Sequence, residues 1–196
     1  AVLPKRPVII TFDDGYESFR HLALPALRSR GMTATMFLVA GATGTFNEWD
    51  SGKGAPRRDI MTENGIKELL EAGIEIGSHS WTHLDLSRCS RDKWQQELIG
   101  SKHQIEKQFR TSVRSFAYPY GAYLPEHFQV LATAGYRAAV SIFSTEPTVT
   151  SNRFCMRRVY VHERDTTLRF RFKLSRMYLR YVAWRDARNI VSPTAG

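Results

Sequence analysis

The sequence predicts an α/β fold built on a parallel sheet, and three observations carry that expectation. Six short apolar segments, 8–12, 34–40, 74–78, 115–118, 137–142 and 157–161, alternate with stretches of helical periodicity. Strand–helix–strand alternation of this kind builds parallel sheets with right-handed crossovers. The 196 residues contain no repeat, low-complexity tract or linker, as expected of one domain, 1–196, with a sizeable core. About six such units leave two architectures open, a barrel or an open doubly wound sheet. In both, the functional edge lies at the C-terminal ends of the strands.

The elements follow in order. Val8-Ile9-Ile10 opens the first strand, which ends in Thr11-Phe12-Asp13-Asp14-Gly15. Pro25 is expected to kink or restart the first helix, and Gly31 to cap its C-terminus. After the second strand, residues 41–59, with several glycines, Trp49, Asp50, Arg57 and Arg58, read as a long surface loop near the functional edge. Thr62 is placed to cap a helix over 62–72, with Met61 and Ile66 as its hydrophobic staple and Gly73 at its end. Ser90 is placed to cap a helix over 90–110 whose Trp94, Leu98, Ile105 and Phe109 form one stripe. Residues 176–196 read as a basic C-terminal helix or tail.

Composition narrows the function classes. The chain is 42% hydrophobic and 24% charged, ordinary for a soluble globular domain. No apolar run approaches the roughly 20 residues needed to cross a bilayer. The chain begins almost directly on its first strand, without a signal peptide, as an excised domain or a processed form would. Cys89 and Cys155 cannot form a CxxC metal knuckle, and unpaired thiols are the preferred reading over one disulfide. A net charge of +9 favours anionic partners. Nucleic acid is not expected among them, because no recognisable binding module accompanies the charge.

Two adjacent carboxylates, Asp13 and Asp14, stand where the first strand breaks into a turn. With no Lys or Arg beside them in sequence, they are expected to share a cation or a proton. The third strand ends in His79-Ser80-Trp81-Thr82-His83, two histidines four apart that would meet on one side of a helical turn. Two imidazoles and one carboxylate form a set that leaves open positions for water and substrate. The fourth strand runs through Ala117-Tyr118 into Pro119-Tyr120-Gly121, a tight turn able to aim a backbone N–H while aromatics wall a cavity. His21, His103 and His127 are expected to face solvent. His162, after Arg158-Val159-Tyr160-Val161, either reaches the functional edge or lies on the surface.

With these segments in order, the chain resembles the NodB-homology polysaccharide deacetylases, carbohydrate esterase family four. The family's T-F-D-D-G motif is matched by Thr11 to Gly15, and its H-[ST]-x-x-H motif by His79 to His83. The third motif, usually R-x-P-[YF]-G, reads Ala117-Tyr118-Pro119-Tyr120-Gly121. The resemblance spans roughly residues 7 to 175. It implies a distorted, incomplete (β/α) barrel in which Asp14, His79 and His83 hold one divalent metal, usually zinc, with cobalt, nickel or manganese as alternatives. It further implies that Asp13 is the general base and that the Tyr120 N–H helps bind the oxyanion. Pro119, Tyr120 and Trp81 would line the substrate site. The implied reaction removes N-acetyl groups from an exported N-acetylglucosamine polymer and releases acetate. O-acetyl esterase activity, or a weakly active carbohydrate-binding relative, is the alternative.

The sequence departs from the family pattern twice. The late L-x-x-H motif that supplies a general acid has no clear match, leaving His162, a proton returned by Asp13, or water. The arginine of the third motif, which orients the base, is Ala117 here. Arg158 either replaces it or is one more charge in a basic chain. The Ala-Tyr-Pro-Tyr-Gly variant looks like the branch acting on poly-N-acetylglucosamine. Between Arg169 and Arg188, seven basic residues interleave with Phe170, Phe172, Tyr178, Tyr181 and Trp184. A contact with an anionic membrane or polymer is one reading. The favoured reading packs the stripe of Leu179, Val182, Ala183 and Ile190 onto the barrel.

Overall fold

The computed structural model describes residues 7–142 and 152–191. Six parallel strands form one sheet in chain order: β1 (Thr11–Phe12), β2 (Thr35–Leu38), β3 (Glu75–Ser78), β4 (Ser115–Ala117), β5 (Ala138–Ser141) and β6 (Met156–Arg157). Strand order that follows chain order has no switch point, so right-handed crossovers all fall on one side. The sheet therefore curls with its helices outside, and β1 and β6 remain edges that do not pair with each other. Of the two architectures the sequence leaves open, this is the incomplete barrel.

The crossovers are α1 (Ser18–Arg28), α2 (Glu63–Glu71), α3 (Arg91–Trp94), α4 (Ser101–Phe109) and α5 (Glu126–Thr133), followed by α6 (Thr167–Lys173) and α7 (Arg176–Val191). Alternate strand residues divide the core. Met36, Leu38, Ile76 and Phe116 face outward onto Leu24 and Leu27 of α1, Ile66 and Leu69 of α2, and Ile105 and Phe109 of α4. Phe37, Ala117 and Val140 face inward and fill the barrel. Gly77 on β3 is required there, because a Cβ at that position would lie 2.4 Å from the Phe37 ring.

Several expectations are met residue by residue. The Thr62 hydroxyl accepts from the Gly65 N–H, and Met61 and Ile66 are fully buried on either side of it. Gly31 and Gly73 adopt the positive φ of helix C-caps. Both cysteines are thiols that point to backbone carbonyls, Cys89 Sγ to Leu86 O and Cys155 Sγ to Asn152 O.

Others are corrected. The first strand is only Thr11–Phe12, because Val8 and Ile9 have no covering neighbour and stand exposed. The last strand is Met156–Arg157 rather than 157–161, with Tyr160 and Val161 exposed beyond it. Pro25 neither breaks nor restarts α1. It sits inside the helix, where the bond it deletes would have gone to the exposed His21. The 90–110 helix is interrupted by a π turn at Gln95–Gly100, and the Ser90 hydroxyl engages Asp92 instead of capping. His127 is fully buried against Trp94, and burial lowers its pKa to about 4, so it is neutral. The packing expected of the C-terminal stripe is met where it can be seen: Val182 is buried and Leu179 half-buried, while the Ala183 and Ile190 side chains lie outside the described residues.

Candidate metal centre

The ends of β1, β3 and β4 converge on one site, and unusual backbone puts the side chains there. Asp14, Ser80, His83 and Tyr120 all have positive φ, a region costly for residues with a Cβ. Arg110, at the end of α4, is the remaining non-glycine residue of this kind among those described. Strain concentrated in three segments distant in sequence marks the place where the fold holds side chains against local preference.

The β1 turn begins at Asp14 (φ 73°), one residue before Gly15 (φ 85°). Two successive left-handed residues cancel strand alternation, so both carboxylates reach the same cavity. Gly15 is also sterically fixed, since a Cβ there would meet Leu38 at 2.9 Å.

His79 to His83 is a loop and not the helical turn expected. Its backbone is zipped to the loop after β2 by Ala40 N–H to Ser80 O (3.0 Å) and Gly41 N–H to Trp81 O (2.9 Å). The Ser80 hydroxyl accepts from the His83 N–H. Glu97, buried in the π turn, accepts from the Trp81 N–H, the Thr82 N–H and the Thr82 hydroxyl at 2.7–3.0 Å. A single carboxylate thus holds the two residues that precede His83. Its sequence signal was faint: one Glu on the apolar side of a helix.

The result brings Asp14, His79 and His83 together, with one ligand atom from each inside 4.8 Å. Asp14 Oδ1 is 3.4 Å from His79 Nε2 and 3.3 Å from His83 Nε2, and it is buried with no hydrogen-bond partner. Those separations are long for hydrogen bonds. They fit a shared cation, because tetrahedral ligands about 2.0–2.1 Å from zinc lie about 3.3 Å apart. His79 Nδ1 lies 2.7 Å from the Ala117 carbonyl, which fixes the tautomer with its Nε2 lone pair aimed into the site. Burial lowers the His79 pKa against the pull of Asp13 and Asp14, so the imidazole is neutral, the form that binds metal. Burial, and then the Asp14 carboxylate, raise Tyr16, so its hydroxyl stays protonated beside Asp14.

Asp13 turns the other way. Both its oxygens pair with Arg158, at 2.6 Å to Nη1 and 2.6 Å to Nη2, and Nη1 also donates to Thr11 Oγ1. Arg158 follows β6, so this contact spans the open seam between β6 and β1 with side chains. It rests on the inward-facing Phe37 ring, 5.6 Å from the guanidinium. Burial would raise the Asp13 carboxyl, but the hydrogen bonds and charge of Arg158 help hold it below its ordinary value. Asp13 Oδ2 lies 4.0 Å from His79 Nε2, beside the ligand set.

Tyr120 stands at φ 57° in the turn after β4, with its ring edge-on to His83 at 4.7 Å. Trp49 stacks on the other side of His83 at 4.7 Å, and Lys53 Nζ donates to the Tyr120 hydroxyl at 3.0 Å. The Trp81 ring packs against Gly41 and the core. Pro119 is buried and opens the turn that carries Tyr120. His162 is exposed, its Nδ1 accepts from the Arg164 N–H, and its N–H donates to Asp165, so it serves its own turn and not the site.

A parallel open barrel carrying Asp, His and His at the strand ends defines a class, and comparison with known proteins agrees. The polysaccharide deacetylase family model matches residues 2–139, and the chain belongs to that family. YxkH of Bacillus subtilis (strain 168), named as a polysaccharide deacetylase, is 33% identical over 140 residues, 71% of this chain and 45% of its own. The poly-beta-1,6-N-acetyl-D-glucosamine N-deacetylase of Staphylococcus aureus (strain MRSA252) is 27% identical over 169 residues, 82% of this chain and 56% of its own. The chain spans about half the length of these relatives. Among solved structures, Streptococcus pyogenes deacetylase PplD superposes with TM-score 0.75 over 89% of this chain and 73% of that one, at 23% identity. IcaB from Ammonifex degensii superposes with TM-score 0.71 over 88% and 74%, also at 23% identity. Both show the same fold.

Proposed function

We propose that this chain is a metal-dependent N-deacetylase of a β-1,6-linked N-acetylglucosamine polymer. The observation that carries the reading is the division of the two adjacent acids: Asp14 joins His79 and His83, while Asp13 is held beside them by Arg158. One carboxylate is thereby committed to a cation, and the other is left ionised as a base.

Zinc is the proposed metal, with cobalt, nickel or manganese able to replace it; a cation here would polarise the acetyl carbonyl and acidify water. The protein's own groups do the rest. Asp13, ionised and aimed by a two-point guanidinium contact, accepts the proton of the attacking water. The Tyr120 N–H, on a turn fixed at positive φ, is the proposed donor to the developing oxyanion, and such a donor typically contributes roughly 10²–10³ in rate. Asp13 then returns its proton to the departing nitrogen, because His162 is engaged elsewhere. Trp49 and Tyr120 flank His83 and present aromatic surface to a sugar ring.

The named similarity to the staphylococcal N-deacetylase supports the linkage. A polymer of this kind lies outside the cell, so an exported site of action is part of the proposal. The test is acetate release from poly-β-1,6-N-acetylglucosamine oligomers. Activity should vanish on chelation and return with zinc. No acetate with metal present would overturn the reading, and release from O-acetylated but not N-acetylated glycans would replace it with esterase chemistry.

A further inference from the structure

Exposed apolar side chains are concentrated in one stretch of the molecule. Seven of the fourteen large hydrophobic residues standing exposed among those described fall between Leu168 and Trp184: Leu168, Phe170, Phe172, Leu174, Met177, Tyr181 and Trp184. Isolated exposed residues of this kind are ordinary, but a contiguous patch marks an interaction surface.

Helix geometry separates the packed and unpacked sides. In α7, Met177, Tyr181 and Trp184 recur at i, i+4 and i+7, share one face, and are 71%, 52% and 53% exposed. Val182, 5% exposed, lies on the side turned to the barrel. In α6, Leu168 and Phe172 stand out at i and i+4. The exposed Tyr160 and Val161 join the patch, because Lys173 Nζ donates to the Tyr160 carbonyl at 2.9 Å.

Charge decides what this surface fits. Residues 166–196 hold seven basic residues and a single acid, Asp186. Arg176, Arg180 and Arg185 border the α7 apolar face, while Arg169 and Arg171 stand exposed among the apolar residues of α6. The nearby acid Asp165 is occupied by Lys173 at 2.5 Å. A second copy would set arginines against arginines. Aromatic and aliphatic residues interleaved with an excess of basic residues are the composition of a helix lying at an anionic lipid interface. No helix of the described residues is long and apolar enough to cross a membrane.

We propose that α6 and α7 form a peripheral docking surface for an anionic lipid bilayer. Met177, Tyr181, Trp184, Leu168 and Phe172 enter the interface, and the arginines meet the headgroups. Arg158 stands two residues before Tyr160, so the same segment that aims Asp13 leads directly into the docking face. The proposal is independent of the chemistry assigned to the site.

Co-sedimentation of the whole chain with vesicles of equal parts phosphatidylcholine and phosphatidylglycerol, against phosphatidylcholine alone, tests it. Binding is expected only to the anionic vesicles and should weaken as salt is added. The M177S/Y181S/W184S variant should lose more than tenfold in affinity. Arg176→Gln and Arg180→Gln should each lose about fivefold, the equivalent of about 1 kcal/mol per cation. Unchanged thermal midpoints would show that the variants fold. Binding to neither vesicle, equal binding to both, or anionic binding indifferent to these substitutions would overturn the proposal. So would concentration-dependent dimerisation abolished by the triple variant, which would assign the face to a second copy.

Discussion

Two regions of this molecule spend backbone and side chains in opposite ways. At the ends of β1, β3 and β4, polar side chains are buried, four residues sit at strained positive φ, and Ala117, Glu97 and Ser80 hold the segment that carries the histidines by hydrogen bonds. In α6 and α7, apolar side chains are exposed and the backbone is regular helix. The first pattern is what a protein pays for when a few atoms must stand at fixed distances. The second is what it retains when only the character of a surface matters. Position should therefore dominate every substitution in the first region, and composition every substitution in the second.

The largest expected effect is at Asp13. Asp13→Asn keeps the shape and removes the base, so kcat should fall about 10²–10⁴-fold. Bound zinc, measured by elemental analysis, should remain at the parent stoichiometry, because Asp14, His79 and His83 are untouched. Equal loss of metal and activity would show that the two acids share one role.

Next is Glu97, which touches neither metal nor substrate in the proposed mechanism. Glu97→Ala strips the acceptor from the Trp81 and Thr82 N–H groups, and each buried donor left unpaired costs about 1–3 kcal/mol. A loss of about 2–4 kcal/mol in unfolding free energy is expected, with zinc affinity, read by competition with a chelator, falling 10–100-fold. Glu97→Gln preserves shape and one acceptor, and should recover part of the affinity. Lost stability with zinc affinity intact would make Glu97 a core residue and not a positioning one.

These two residues also show what sequence can and cannot reveal. The Asp13–Asp14 pair and the His79/His83 spacing are local patterns, so chain order exposes them directly. The backbone between the histidines is not local. Spacing of four suggests a helical turn, but Glu97 and the β2 loop hold those residues in a strained loop instead. Arg158 lies 145 residues from Asp13, and no periodicity links them. The strands were legible as apolar runs, whereas their lengths were not. Val8, Ile9 and Val159 to Val161 stand in runs apolar enough for strand, but they extend past the residues that the neighbouring strands pair with. His127 read as surface because polar neighbours surround it in sequence. Trp94, from another helix, and Tyr118, from the end of β4, cover it in space.

Arg158 joins the two regions, and Arg158→Gln should show an intermediate effect with a distinctive pH signature. The guanidinium favours the ionised Asp13 carboxylate, and burial favours the neutral acid. Removing Arg158 takes away its share of that stabilisation, so the Asp13 pKa rises and the acid limb of kcat/KM moves to higher pH. Lost hydrogen bonds to a charged group are worth about 1.5–3 kcal/mol, or about 10–100-fold in rate near neutrality. Raising the pH should recover part of that loss. A uniform fall in rate with no shift of the acid limb would mean that Arg158 holds the seam together without tuning the base.

The smallest effect belongs to the exposed helical face. Met177→Ser and Tyr181→Ser remove side chains already 71% and 52% in water, so little transfer energy is lost on truncation. Surface substitutions of this kind stay within about 0.5 kcal/mol, and the thermal midpoint should barely move. Acetate release from a short soluble oligomer should also be unchanged, since Tyr120, Trp49 and Asp13 lie on other elements. The converse control is Val182→Ser, one residue on from Tyr181 and 5% exposed. It buries an unpaired hydroxyl and loses apolar contact, so about 1–3 kcal/mol should be lost. If Met177→Ser and Val182→Ser were equally damaging, the outer face would be packed in solution and the contrast between the two regions would fail.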